Sequence, residues 1–156
     1  MKVLSVNTSR CVGCRICEQW CSYSHHGVIS PSKTRIRVLR DLEQQGDVPL
    51  VCHQCASPLC IKACPCEALY RDEKNGFVGV AGDKCTGCGL CVEACVHGAI
   101  GVDPKGCPVI CDLCGGRPQC VVHCPEGALR YLRREFIDRE KKLAAARGKG
   151  ASAHGD

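Results

Sequence analysis

The sequence is poor in aromatic residues and contains no long apolar run. Its 156 residues include one Trp, three Tyr and two Phe, so aromatic residues make up only 4%. The apolar fraction of 45% also overstates the apolar content, because it counts 18 cysteines. A large core of ordinary apolar side chains is therefore excluded, and small folds of this kind gain stability from disulfides or bound metal.

Segments that would direct the chain into or across a membrane are lacking too. No stretch approaches the ~20 apolar residues of a transmembrane helix. Residues 1–10 contain neither the apolar region of a signal peptide nor a twin-arginine motif. We therefore expect a cytoplasmic protein, and in that reducing compartment cysteines favour metal binding over disulfides.

What the sequence does contain is cysteine in four similar runs, which makes it an internal-repeat protein. Runs I and III have the spacing C-x2-C-x2-C-x3-C, run II has C-x2-C-x4-C-x3-C, and run IV has C-x2-C-x5-C-x3-C. The runs are Cys11, Cys14, Cys17 and Cys21 (I); Cys52, Cys55, Cys60 and Cys64 (II); Cys85, Cys88, Cys91 and Cys95 (III); and Cys111, Cys114, Cys120 and Cys124 (IV).

This spacing is that of bacterial two-cluster ferredoxins, in which the fourth cysteine ligates the other cluster. Cys64-Pro65 and Cys124-Pro125 also reproduce the Cys-Pro ending of that motif. Each run has all four cysteines, so we expect four [4Fe–4S] clusters. A zinc-binding structural adaptor is the alternative from another class, but zinc sites do not explain the third cysteine followed by x3-C in every run. Disulfides are the third interpretation.

Other chemistry is not supported by the sequence. The formal charge of +5 treats every cysteine as neutral, whereas four thiolate-bound clusters would add about −8. The excess of Lys and Arg then offsets cluster charge, and nucleic-acid binding is not indicated. No catalytic triad, P-loop or dinucleotide fingerprint is present, so the chain is not expected to be catalytic or to bind nicotinamide or flavin.

Glycine is expected where a loop must wrap closely around a cluster, as at Gly13, Gly87 and Gly89. Two cysteines lie outside the runs: Cys66 is predicted to fill a small core position, and Cys107 is a weak competitor as a ligand. Several aromatic or imidazole side chains are expected to pack near clusters or donate hydrogen bonds to sulfur rather than bind iron, namely Trp20, Tyr23, His25, His26 and His53.

The flanks of the runs predict an α+β fold of small hairpins and short helices. Short apolar stretches precede the runs at 3–6, 48–51, 77–80 and 108–110, and follow them at 27–29, 68–70, 98–100 and 127–129. The x3-C end of each run suits a short helix between two strands. Residues 34–40 predict a half-buried strand, and 101–110 predict a connector.

After run IV the sequence changes character. Residues 133–147 are rich in helix formers and predict a C-terminal helix, and residues 148–156 predict a flexible tail. The helix is interpreted either as a solvated face or as a docking arm for a partner subunit.

The gap between runs II and III resembles that of a compact two-cluster ferredoxin, which favours pairing of these two runs, with runs I and IV paired around them. Sequential pairing, I with II and III with IV, stays open as the alternative. The predicted modules are an outer one of residues 1–48 with 104–132 and an inner one of residues 49–103.

With these runs, residues 1–132 resemble the four-cluster electron-transfer subunits of molybdenum and tungsten oxidoreductases, formate dehydrogenase and carbon monoxide dehydrogenase. The specific marks are Cys11-Val12-Gly13-Cys14, Cys52-His53-Gln54-Cys55 and Cys111-Asp112-Leu113-Cys114. The size of the chain and its lack of long insertions make the chain most similar to the small polyferredoxin subunit of bacterial tungsten aldehyde oxidoreductase complexes.

The resemblance implies nested ligand sets. They are Cys11, Cys14, Cys17 and Cys124; Cys111, Cys114, Cys120 and Cys21; Cys52, Cys55, Cys60 and Cys95; and Cys85, Cys88, Cys91 and Cys64. It also implies a non-catalytic electron-transfer role between a tungsten or molybdenum pterin enzyme and a second redox subunit such as a flavoprotein. Carbon monoxide dehydrogenase, hydrogenase or formate dehydrogenase are alternative partners, and end-to-end self-association is a further expectation.

Overall fold

The computed structural model describes residues 1–43 and 46–150, which form eight short strands, five α-helices and three short 3-10 helices. In chain order the strands and α-helices are β1 (Lys2–Val6), α1 (Ile16–His26), β2 (Ile36–Asp41), β3 (Gly46–Val51), α2 (Leu59–Lys62), β4 (Leu69–Arg71), β5 (Val78–Val80), α3 (Leu90–Glu93), β6 (Gly101–Val102), β7 (Pro108–Val109), α4 (Gln119–Val122), β8 (Leu129–Arg133) and α5 (Arg134–Gly150). The predicted class, small hairpins and short helices, is confirmed.

The strands form four antiparallel pairs: β1 with β8, β2 with β3, β4 with β5, and β6 with β7. The strand after one run pairs with the strand before the next, so the two strands that flank a single run do not pair with each other. The first and last strands close the arrangement, with Leu4 opposite Tyr131 and Val6 opposite Leu129. This pairing brings run I beside run IV.

Each run ends in a helix, as its x3-C spacing predicts. The helices α2, α3 and α4 have four residues each, whereas α1 has eleven. The pair α1 and α4 are in contact, as are α2 and α3. The helical ends of runs I and IV therefore pack together, and so do those of runs II and III.

The strand predicted at 27–29 is wrong, because α1 extends through His26. Gly27 then ends the helix in the left-handed conformation with φ 68°, and its N–H donates to the carbonyl oxygen of Tyr23 at 2.8 Å. The N–H of Ser30 donates to Oγ of Ser22 at 3.1 Å, which folds the following loop back onto the helix. The strand appears only at β2, where residues 34–40 predicted one.

The other differences are smaller. The strand predicted at 98–100 lies at Gly101–Val102, so the predicted connector 101–110 is itself the β6–β7 hairpin. Its turn is held by Asp103, whose carboxylate accepts from the N–H groups of Lys105 and Cys107 at 2.8 Å each.

The buried residues form two cores, and both include cysteines. The first contains Leu4, Ile36, Val38, Val51, Leu113 and Leu129 with Cys17, Cys21, Cys111 and Cys120. The second contains Ala68, Leu69, Val78, Ile100 and Ile110 with Cys91. Cys52 packs against both. Cysteines and ordinary apolar side chains therefore pack together in both cores. This agrees with the small number of ordinary apolar residues in the sequence.

Gln54 joins the two cores and is fully buried. Its Nε2 donates to the carbonyl oxygen of Cys111 at 2.5 Å, and its Oε1 accepts from the N–H of Val78 at 2.8 Å. Its own carbonyl oxygen accepts from the guanidinium of Arg134 at 2.5 Å. The side chain of Gln54 is thus hydrogen-bonded to run IV and to β5, and its backbone carbonyl is hydrogen-bonded to α5.

The helix α5 lies on the β1–β8 pair. Ile137 is buried there, and Arg130 of β8 forms an ion pair with Glu140 at 2.6 Å. The helix predicted over 133–147 is thus observed as Arg134–Gly150, and it includes residues 148–150 of the predicted tail. The rest of that tail, 151–156, lies outside the described residues. None of the helices within residues 1–43 and 46–150 is long and apolar enough to cross a membrane.

Candidate metal centres

The fourth cysteine of run IV lies with the first three cysteines of run I. Cys11, Cys14 and Cys17 line one cavity, and Cys124 lines it from the end of α4. Burial raises the pKa of the Cys17 thiol to about 12, and the nearby charges of Glu18, Cys14 and Cys11 add to the effect. We call these four cysteines thiol group A.

The last cysteine of run III lies with three cysteines of run II in the same way. Cys52, Cys55 and Cys60 line a second cavity together with Cys95. Burial raises the pKa of Cys52 to about 11, with further contributions from the thiolates of Cys60, Cys55 and Cys95. These four cysteines are thiol group B.

Run IV and the end of run I supply a third set. Burial raises the pKa of Cys120 above its ordinary value, and the charges of Cys114 and Cys21 raise it further. Cys111 is affected in the same direction by burial and by Cys120, Cys52 and Cys21. Thiol group C consists of Cys111, Cys114, Cys120 and Cys21. Since Cys52 belongs to group B, groups B and C are neighbours.

The remaining cysteines of runs II and III supply the fourth set. Burial raises the pKa of Cys91, and so do the charges of Cys64 and Cys85. Cys88 lies on the same loop and is exposed. We use the name thiol group D for Cys85, Cys91 and Cys64 together with Cys88 of the same loop.

This crowding has a direct chemical consequence. Burial raises the pKa values of Cys17, Cys52 and Cys120, and repulsion between neighbouring thiolates raises them further. A positively charged metal centre removes that penalty, because a coordinated thiol is deprotonated outright. Sulfur ligands select soft metals and iron–sulfur clusters. The residues present therefore fit such clusters.

Backbone N–H groups point at several of these sulfurs. Arg35 donates to Sγ of Cys21 at 3.2 Å, Ala68 to Sγ of Cys64 at 3.3 Å, and Gly87 to Sγ of Cys85 at 3.4 Å. Such bonds help to set cluster potentials. Gly87 has φ 70°, as the predicted need for unusual loop dihedrals requires.

A charged network surrounds Cys21 that the sequence did not predict. His25 lies between the carbonyl oxygen of Cys21 at 2.7 Å and the carboxylate of Asp112 at 3.0 Å. Arg35 pairs with the same carboxylate. The bond to Asp112, followed by that to Cys21, raises the pKa of His25 to about 10. Although burial opposes it, His25 and Arg35 hold the pKa of Asp112 below its ordinary range.

The network acts on the sulfur of Cys21 as well. Burial would raise the pKa of that thiol, but bonds from His25, the N–H of Arg35 and Thr34 lower it overall. The sequence signal for this network was the position of Asp112 between two cysteines of run IV. That signal did not identify His25 and Arg35 as partners, because both lie far from Asp112 along the chain.

The aromatic and imidazole side chains near the thiols are mostly stacked. Trp20 and His123 lie face to face with ring centroids 3.5 Å apart, next to Cys21 and Cys124 in sequence. His53 and His97 are stacked at 3.9 Å beside group B. Tyr23 packs edge-on against Trp20. His26 is exposed, and the nearby cations Arg35, Lys33 and His25 add to desolvation in lowering its pKa.

The two cysteines outside the runs both lie at group D. Cys66 was predicted to fill a small core position, but it is half-buried at the edge of the second core. Its Sγ is 3.8 Å from Sγ of Cys64. Cys107 contacts Cys85, and burial together with this contact raises the pKa of Cys107. Cys107 lies four residues before Cys111 in sequence, but its neighbours Cys85 and Cys91 are in run III.

Clustered cysteines with N–H groups directed at sulfur fit an iron–sulfur protein, and comparison with known proteins gives the family. Residues 46–134 match the model of the 4Fe-4S dicluster domain, more than half of the chain. The chain belongs to this family and binds multiple [4Fe–4S] clusters.

Two curated relatives cover most of the chain. The polyferredoxin-like subunit of aliphatic sulfonate oxidoreductase from Pyrococcus furiosus is 48% identical, over 91% of this chain and 89% of its own length. Electron transport protein HydN from Escherichia coli is 32% identical, over 93% of this chain and 97% of its own length. A solved structure, the active site complex BamBC of benzoyl coenzyme A reductase with 1,5 dienoyl-CoA, aligns with a TM-score of 0.50. The identity is 28%, over 84% of this chain and 75% of the matched chain.

Proposed function

We propose that this chain is a non-catalytic electron-transfer subunit of an oxidoreductase complex and carries four [4Fe–4S] clusters. The observation that carries the proposal is the exchange of last cysteines between runs. Cys124 lines the cavity of run I, and Cys95 lines that of run II. Such an exchange is the ligand pattern of two-cluster ferredoxins, and here it occurs in two pairs of runs.

Groups A, B, C and D are the proposed ligand sets. Runs I and IV then form the outer module, residues 1–48 with 104–132, and runs II and III form the inner module, residues 49–103. Contacts between α1 and α4 and between α2 and α3 support this nested division over sequential pairing. Four converging thiols in each set supply the clusters' iron with the ligands that it needs.

Burial and the interactions between sets support one order of the sets along the protein. Cys14 of group A and Cys88 of group D are the two exposed ligands. Cys120 of group C is affected by Cys17 of group A, and Cys111 of group C by Cys52 of group B. The proposed order is A, C, B, D, so electrons enter and leave beside Cys14 and Cys88.

The chain's own residues would tune this path. The N–H groups of Arg35, Ala68 and Gly87 direct partial positive charge at sulfur, and Gln54 fixes the backbone of Cys111 against that of run II. When bound, the clusters supply one-electron redox chemistry. The protein supplies ligands, spacing and exclusion of water.

Two observations suggest partners for this subunit: the resemblance of its cysteine runs and the name of a relative. A tungsten or molybdenum pterin enzyme at one end and a flavoprotein at the other fit the resemblance of the cysteine runs, with aldehyde oxidation as the first candidate reaction. The name of the relative from Pyrococcus furiosus favours an aliphatic sulfonate oxidoreductase as the second candidate. Hydrogenase is a further alternative. Cytoplasmic location and end-to-end self-association stay predictions.

The test has two parts. Anaerobically purified chain should contain about 16 iron atoms, four for each cluster, and its reduced EPR spectrum should show interacting S = 1/2 signals. Zinc in a colourless protein would refute the proposal. Purification of the native complex through an affinity tag, followed by tungsten and molybdenum analysis, then identifies the partner, and a complex without a second redox protein would contradict the electron-transfer role.

A further inference from the structure

Group D differs from the other thiol groups because the two additional cysteines of the chain both touch it. Sγ of Cys66 is 3.8 Å from Sγ of Cys64, and Cys107 contacts Cys85 on the other loop of the group. All 18 cysteines lie within the described residues. Six thiols gather at group D, whereas groups A, B and C have four each.

The position of Cys66 explains how it reaches the group. It is the second residue after the last cysteine of run II, where the other runs have Tyr23, His97 and Glu126. The chain turns tightly there, since Glu67 has φ 50° and the N–H of Ala68 donates back to Sγ of Cys64 at 3.3 Å. This turn places the sulfurs of Cys64 and Cys66 on the same side.

Cys66 also faces the loop that supplies the other three ligands. Its Sγ lies 3.9 Å from Oγ1 of Thr86, the residue after Cys85. The Cys66 thiol is therefore within 4 Å of both the proposed fourth ligand, Cys64, and the run III loop at Thr86. At group B the corresponding residue is His97, whose ring is stacked on His53 at 3.9 Å.

We propose that Cys66 is a second ligand for the cluster of group D and can replace Cys64 on its fourth iron. The inference rests on the proposed ligand sets. In the exchange the Fe–S bond to Cys64 breaks and one to Cys66 forms, and the proton of the Cys66 thiol passes to the released Cys64. No electron is gained or lost, and one thiolate replaces another of the same softness. Rotation of the Cys64 and Cys66 side chains between staggered rotamers would direct either sulfur towards the iron.

Single and double variants of the full chain test this. The variants are Cys64→Ala, Cys64→Ala with Cys66→Ala, Cys64→Ala with Cys107→Ala, and Cys95→Ala as the matched control at group B. Each is purified anaerobically, and its iron content and the EPR spectra of its oxidised and reduced forms are measured. Cys64→Ala should keep the wild-type iron content without a [3Fe–4S] signal, as should its combination with Cys107→Ala.

Loss of the second ligand should have the opposite result. Cys64→Ala with Cys66→Ala, and Cys95→Ala, should lose iron or show the oxidised [3Fe–4S] signal. A Cys64→Ala variant that resembles Cys95→Ala, or that fails to accumulate when Cys95→Ala does, overturns the inference. Rescue that depends on Cys107 overturns it too. If neither alanine variant accumulates, the same comparison is made with Cys64→Ser and Cys95→Ser.

The wild-type measurement separates this inference from the proposed function. Wild-type chain with about 16 iron atoms and a Cys64→Ala variant that loses iron would refute the role of Cys66 alone. Wild-type chain without iron would refute the proposed function.

Discussion

Replacing Gln54 with leucine should destabilise the protein at the contact between its two cores. The variant keeps a side chain of similar size but removes both hydrogen bonds of the amide. The carbonyl oxygen of Cys111 and the N–H of Val78 would then be buried without a partner. Each such group costs about 1–3 kcal/mol, so the loss should be roughly 2–6 kcal/mol.

For a chain of this size each kcal/mol lowers the thermal midpoint by about 2–4 °C, so the decrease should be at least about 4 °C. The measurement is thermal unfolding of the anaerobic holoprotein, followed by visible cluster absorbance and by far-UV circular dichroism at one scan rate. Gln19→Leu is the matched control, because Gln19 is exposed on α1. Equal midpoints for the two variants would refute the inferred role of the Gln54 amide.

The remaining predictions concern single contacts. Asp112→Asn should lower the pKa of His25 from about 10 towards about 6.5, measured by NMR titration. The raised pKa stabilises the fold fully below about pH 6.5, and this stabilisation is lost towards pH 10. The difference in stability between the variant and the wild type should therefore shrink over that range. A constant difference would contradict the pairing of His25 with Asp112. Gly89→Ala should cost about 1–2 kcal/mol because φ is 78°, whereas Gly82→Ala, with open space and no positive φ, should be neutral in the same chemical denaturation assay. Cys124→Ala should alter the same EPR signal as Cys11→Ala, and a change in a different signal would contradict group A. Arg130→Ala should lower stability by at most about 1 kcal/mol, because its ion pair with Glu140 is exposed, and a larger loss in urea titration would show an additional role.

Much of the architecture follows from local sequence. Val3, Val48, Val78 and Val109 each lie in an observed strand that precedes a run, as predicted. The x3-C spacing predicted the short helices, since three intervening residues form one helical turn between two ligands. These features depend on neighbours in the chain, so the pattern of residues was enough to predict them.

The errors came from interactions that the pattern does not contain. Val28 and Ile29 have strand-like side chains, but the cap at Gly27 and the bond between Ser22 and Ser30 determine their backbone. Gln54 was overlooked as a structural residue because its partner Cys111 lies far from it in sequence. Asp112 was overlooked because His25 and Arg35 lie far from it. Only the folded chain brings these partners together.

The pairing of β1 with β8 has a consequence for synthesis of the protein. Val6 has its strand partner at Leu129, so the amino-terminal strand waits for almost the whole chain to leave the ribosome. Runs II and III emerge complete well before that, with the β4–β5 hairpin between them. Closing so long a loop has an entropic cost that grows only slowly with its length, and long-range strand pairing is slow. Iron–sulfur assembly would then proceed from the middle of the chain outwards, and the thiols of run I, although synthesised first, would be protected from oxygen only together with those of run IV.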